Sequence, residues 1–132
     1  MTVQTIEPQI GERMPDGTIF AGISPDTHKK MYTTPADTPL TMTFNEAQKY
    51  AGNLDAHGRK DWRVPTKDEL NVLFNNRAAI GGFKVSGSYS ADPYWSSSSS
   101  TGYEWLAWAQ RFSDGHQDYD YTGGHSFVRL VR

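Results

Sequence analysis

Along this chain the apolar positions first cluster in short extended runs, then recur at helical spacing, then alternate again. Residues 18–23 (TIFAGI) and 30–34 (KMYTT) are short β-prone runs separated by Ser24-Pro25-Asp26, which predicts a hairpin. The polar stretch ahead of them ends in the turn signal Met14-Pro15-Asp16-Gly17. It reads as a loose N-terminal arm over residues 1–17, with ordered structure beginning near Thr18 and a single domain from there to residue 132. After the punctuation of Pro35 and Pro39, Phe44, Ala47, Tyr50, Ala51 and Leu54 fall on one face of a helix over about residues 44–54. Thr43 and Glu46 have the spacing of a capping box at its start. A second box, Thr66 with Glu69, opens a shorter helix carrying Leu70, Leu73 and Phe74 on one side. Between the helices Trp62-Arg63-Val64-Pro65 is an extended lead-in, because the residue before proline is pushed away from helical angles.

Beyond Arg77 the texture changes to glycine, serine and aromatic rings. Tyr94-Trp95-Ser96-Ser97-Ser98 reads as a short strand running into a polar loop. Residues 105–112 alternate, with Leu106, Trp108 and Phe112 on one face and Trp105, Ala107, Ala109 and Arg111 on the other. Ser113-Asp114-Gly115-His116 predicts a two-residue reversal, since Asp-Gly tolerates the positive φ that such a turn needs. Residues 116–122 form the return strand, Gly123-Gly124 turns once more, and residues 127–131 make a terminal strand. Two strands, two helices and an antiparallel meander describe an α+β fold.

Length and composition narrow the function more than the fold. The 132 residues suffice for one core, and the absence of Cys removes disulfide scaffolds, Cys-ligated metals and thiol catalysis. A net charge of −2 and a pI near 6.0 give no basic footprint for a phosphate backbone, so nucleic acid is not an expected partner. No apolar run reaches the roughly 18 residues of a membrane span, and the first residues lack a signal-peptide pattern. Location is therefore left open between cytoplasmic synthesis and exposure on a surface or virion by another route. The averages conceal an asymmetry: residues 89–132 hold ten of the 17 aromatics but only three basic groups, against ten basic groups before them. Such a mixture of Tyr, Trp, Ser, Asp and His suits either a recognition surface or an aromatic core.

The series Trp62-Arg63-Val64-Pro65-Thr66-Lys67-Asp68-Glu69-Leu70, Tyr94-Trp95-Ser96-Ser97-Ser98, Ala107-Trp108, Phe112, Gly115 and Val128-Arg129-Leu130-Val131-Arg132 resembles the Lcl C-terminal domain family, within the formylglycine-generating-enzyme-like branch of the C-type lectin fold. The resemblance spans about residues 40–132. It implies a C-type lectin-like domain in which N- and C-terminal strands pair in a short antiparallel sheet, two helices flank that sheet, and the Ser, Tyr and Asp-rich meander faces the ligand. It also implies adhesin-like, surface or phage binding roles, and kinship with proteins diversified by retroelements. The tail, free of Lys and rich in Ser, Tyr, Asp and His, is consistent with such diversification, although Trp105, Gln110 and Gln117 do not arise from adenine mutagenesis of asparagine codons.

The residues argue against catalysis. The oxidase cousins rely on active-site Cys, absent here, and no Gly-x-Ser-x-Gly, phosphate loop or carboxylate pair stands out. His28, His57, His116 and His125 lack short metal spacing, and Asp114, Asp118 and Asp120 are better explained by the turn and an outer strand face than by calcium. No cofactor or metal is expected. Trp62 and Trp95 read as core anchors, Arg63, Arg129 and Arg132 as structural donors, and Trp95, Trp108, Phe112 and the final strand as scaffold. The expected ligand-binding set is Ser98, Ser100, Tyr103, Trp105, Gln110, Ser113, His116, Gln117, Tyr119, Tyr121 and His125, facing a protein or glycan. The alternative is an assembly domain that uses the same surface to form oligomers.

Overall fold

The computed structural model describes residues 7–85 and 93–132. The first six residues of the expected arm lie outside the described residues.

Strands β1 (Ile19–Ile23) and β2 (Lys30–Thr33) form the anticipated hairpin, antiparallel from Ile19 opposite Thr33 to Ile23 opposite Lys30. Ordered structure starts earlier than Thr18, because the backbone of Gly11 and Glu12 exchanges hydrogen bonds with Phe20. Residues 11 and 12 are therefore pinned along β1. Helices α1 (Phe44–Asn53) and α2 (Lys67–Asn75) begin at Thr43 and Thr66, and both capping boxes are complete in both directions. A further short helix, α3 (Arg77–Ile80), follows directly and buries Ile80; its four residues are too few to show periodicity.

The serine run is not a loop. Strand β3 (Tyr94–Ser100) carries it into a three-stranded antiparallel sheet with β4 (Tyr103–Gln110) and β5 (Gln117–Tyr121), in the order β3-β4-β5. Ser96 Oγ donates to Trp108 O at 2.6 Å and accepts from Ser98 N, while Ser98 Oγ accepts from Lys67 N at 2.9 Å. These hydroxyls serve backbone groups in an irregular ladder whose register shifts between Trp95 and Ser100. The reversal after β4 is longer than two residues: Arg111 N bonds His116 O, and Asp114 caps the loop by accepting from His116 N. The last residues do run beside β2, with Tyr32 and Arg132 exchanging both backbone bonds, but they form isolated bridges instead of a strand.

Neighbouring strand residues point to opposite faces, so the fully buried Tyr94 and Trp95 divide the core in two. Tyr94 joins Ile19, Met31, Leu70, Leu73 and Phe112 on the side of α2 and the hairpin. Trp95 joins Ala47, Ala51, Trp62, Ala107, Ala109 and Val128 on the side of α1. The fold is α+β, with three helices and two small antiparallel sheets among the described residues.

Candidate functional site

The α1 side of the sheet is closed because alanines at 107 and 109 leave room for Trp95, whose indole Nε1–H donates to Met42 O at 2.8 Å, and for Phe44 against it. On the α2 side the helix covers only one end. There Gln110 is fully buried, its amide donating to Asn71 Oδ1 and Gly115 O, and Gln117 Nε2 donates to Lys67 O. Beyond the start of α2 the same face continues uncovered, with Trp108 opposite Tyr119 and Leu106 opposite Tyr121 in consecutive rungs. The Trp108 and Tyr119 ring centroids are 4.2 Å apart, and Lys67 Nζ lies 3.8 Å from the centroid of the Trp108 ring. Tyr119 and Tyr121 are 41% and 68% exposed.

Trp108 therefore corrects the scaffold reading. It is half-buried and belongs to the displayed face, whereas Trp62, Trp95 and Phe112 are buried as expected. Of the eleven predicted residues, Tyr119 and Tyr121 share this ladder, with Gln117 beside it. Tyr103 and Trp105 are exposed as an edge-to-face pair 5.3 Å apart. Alternation along β4 turns Trp105 to the face opposite Trp108. Ser100 is buried, Ser98 caps α2 and Gln110 ties sheet to helix. Ser113 and His116 lie exposed in the loop after β4, His116 Nε2 being 3.6 Å from Asp118. His125 is exposed near the start of α1, where its charge helps hold Glu46 below the ordinary carboxylate range, after the larger influence of the Thr43 hydrogen bonds. Lys67, Leu106 and Trp108 are the members of the face that sequence reasoning missed. Their meeting depends on where the first turn of α2 docks on the sheet, which is set by bonds from Ser98 and Gln117 on other elements and not by the local sequence.

The sequence over residues 22–132 matches the family model of the Lcl C-terminal domain. The chain belongs to the Lcl C-terminal domain family. No curated protein gives a match to it.

Three polar ties join distant segments of this Lcl C-terminal domain. Glu69, fully buried, accepts two bonds from Arg63, one from Ser24 Oγ at 2.6 Å and one from Thr66 N at 2.9 Å. Burial pushes its pKa upward, yet these hydrogen bonds outweigh burial and hold it at about 2. Arg129, also fully buried, donates to Asp37, Thr34 O and Gly81 O, and Phe83 covers its guanidinium. Burial lowers the Arg129 pKa and raises that of Asp37, whose second oxygen accepts from Tyr94 Oη. Arg132 pairs with Asp61 at 2.8 Å, so all three arginines marked in the sequence are structural donors.

A cleft of about 460 Å³ lies elsewhere, along α1, lined by Leu40, Met42, Tyr50 and Leu54. Its acidic groups are engaged, Glu46 in the capping box and Asp55 with Lys60 at 3.9 Å. Among the described residues, no group of three or more His, Asp or Glu side chains is placed to hold a metal ion, and no helix is long and apolar enough to cross a membrane.

Proposed function

We propose that this Lcl C-terminal domain is a non-catalytic binding module, recognising a protein or glycan through the uncovered face of β4 and β5. The observation that carries the reading is the ladder of Trp108 with Tyr119 and Leu106 with Tyr121, left open beyond the first turn of α2. Rings held on two paired strands give large contact area at small conformational cost, which is the economy of a recognition surface. The bonds of Ser96 Oγ to Trp108 O, of Gln110 to Asn71 and of Gln117 to Lys67 O support it by tying the two strands on which those rings stand to β3 and α2.

The reading is tested by Tyr119→Ala with Tyr121→Ala, assayed for capture on glycan and protein arrays beside the unchanged chain. Capture is expected to disappear while the melting temperature stays within about 2 °C, because exposed rings contribute little to the core. A large fall in melting temperature would mark the rings as core, and retained capture would move recognition away from this face.

A further inference from the structure

The outer side of β5 decides which kind of ligand that face accepts. Arg111 N bonds His116 O and Thr122 N bonds Trp105 O, so the even-numbered residues of β5 turn their backbone groups toward β4. The N–H groups of Tyr119 and Tyr121 therefore point outward, along a sheet edge. Each is occupied by the carboxylate of the residue before it: Asp118 Oδ1 accepts from Tyr119 N at 2.8 Å, and Asp120 Oδ1 accepts from Tyr121 N at 2.8 Å. An added strand must find donors as well as acceptors, and on this edge the carboxylates stand over the donors. At Tyr119 and Tyr121 the edge offers the Tyr119 carbonyl and carboxylate oxygen, the Tyr121 carbonyl being taken by Gly124 N.

The charge along that edge points the same way. Residues 94–128 contain one arginine against Glu104, Asp114, Asp118 and Asp120, a net charge of −3 with His neutral. Arg111 pairs with Asp114 at 2.5 Å, which leaves Glu104, Asp118 and Asp120 as the excess. The domain already displays how its rings receive a cation, since Lys67 Nζ rests over Trp108. Tyr121, the most exposed ring of the ladder, stands next to Asp120 on a strand edge rich in acceptors.

We infer that the outer edge of β5 takes an arginine-rich polypeptide segment laid along it, some guanidinium groups bonding the carboxylates of Asp118 and Asp120 at the edge and others reaching over to stack on Tyr119 and Tyr121. The guanidinium suits either place, as a flat cation for a ring and as forked N–H donors for a carboxylate. This rests on the proposed use of the face as a binding surface and adds the identity of what it binds.

The test is fluorescence anisotropy with a labelled nonapeptide of alternating Arg and Gly, a matched Glu and Gly peptide, and labelled dextran sulfate as the polyanionic glycan. The Arg peptide is expected to bind, with affinity falling about tenfold between roughly 50 and 300 mM salt, and the other two probes to stay free. Tyr119→Ala with Tyr121→Ala, and separately Asp118→Asn with Asp120→Asn, should each weaken it about fivefold or more at unchanged melting temperature. Asparagine keeps an oxygen to cap the strand N–H groups, so the second pair removes charge without opening the edge. Failure of the Arg peptide to bind, or binding indifferent to both pairs, overturns the inference. Ring-dependent capture of dextran sulfate in its place would also overturn it while leaving the face as a binding surface.

Discussion

Glu69 concentrates three parts of the chain on one carboxylate: the hairpin turn through Ser24, the extended lead-in through Arg63, and the first turn of α2 through Thr66. Its pKa of about 2, against an ordinary value of 4.5, means that the folded state releases the proton more readily than the unfolded chain. The stability this contributes is full above pH 4.5 and is lost as pH falls toward 2, on the order of 3 kcal/mol in all. Urea midpoints measured from pH 6 down to pH 2.5 should fall accordingly. Glu69→Gln should start lower by roughly 3 kcal/mol, because Arg63 loses its charge partner, and show a flatter acid limb. A parallel decline in the two proteins would exclude Glu69 as the source. Gly115 is constrained differently. Its φ is +83°, and a Cβ there would stand 2.5 Å from Cε2 of Phe74. Gly115→Ala should cost about 2 kcal/mol or more by thermal denaturation, and a neutral result would mean that the loop and Phe74 yield easily.

At the scale of elements, the two capping boxes have the same local pattern and different surroundings. Thr43 caps an exposed helix start, whereas Thr66 also donates to Asp26 and stands beside the Ser98 hydroxyl that accepts from Lys67 N. Thr43→Ala should therefore cost about 1 kcal/mol and Thr66→Ala nearer 2 kcal/mol, read from chemical denaturation. Equal losses would show that the contacts to the hairpin and to β3 add nothing to the cap. The serines of β3 follow a related logic. They are polar enough to suggest a loop, yet Ser96 sits buried in the sheet because the carbonyl of Trp108 and the N–H of Ser98 are there to be bonded.

For the whole molecule, the division of the core at Tyr94 and Trp95 explains how so few helical turns cover a sheet on both faces. The buried Arg129 network then joins the loop at residues 34–38 to the end of α3 across that divide. Arg129→Met removes three donated hydrogen bonds and leaves Asp37 without its cation. It should lower stability by roughly 3 kcal/mol or more, and survival at wild-type stability would mean that Asp37 takes up a proton at little cost. The closed edge of β5 bears on assembly. Sedimentation velocity at neutral pH is expected to show no strand-paired dimer, and a dimer that Asp118→Ala with Asp120→Ala leaves unchanged would disprove the protective role of these carboxylates.

The local elements were legible in the chain because their causes are local. Both helix starts are written in a Thr and a Glu three residues apart, the β1–β2 hairpin in two β-prone runs around a turn, and the roles of Arg63, Arg129 and Arg132 in charges set among apolar neighbours. Family membership was legible for the same reason, as an ordered series of short motifs. The face of β4 that is buried was not. Alternation separates Trp108 from Ala107 and Ala109, but hydrophobicity assigns the larger ring to the core, while the structure buries the alanines because Trp95 and α1 fill the space above them. Gln110 likewise offered a polar side chain whose burial depends on Asn71 arriving from another element. Local chemistry thus set the strands and helices, and the place where the first turn of α2 docks on the sheet decided which rings meet the solvent.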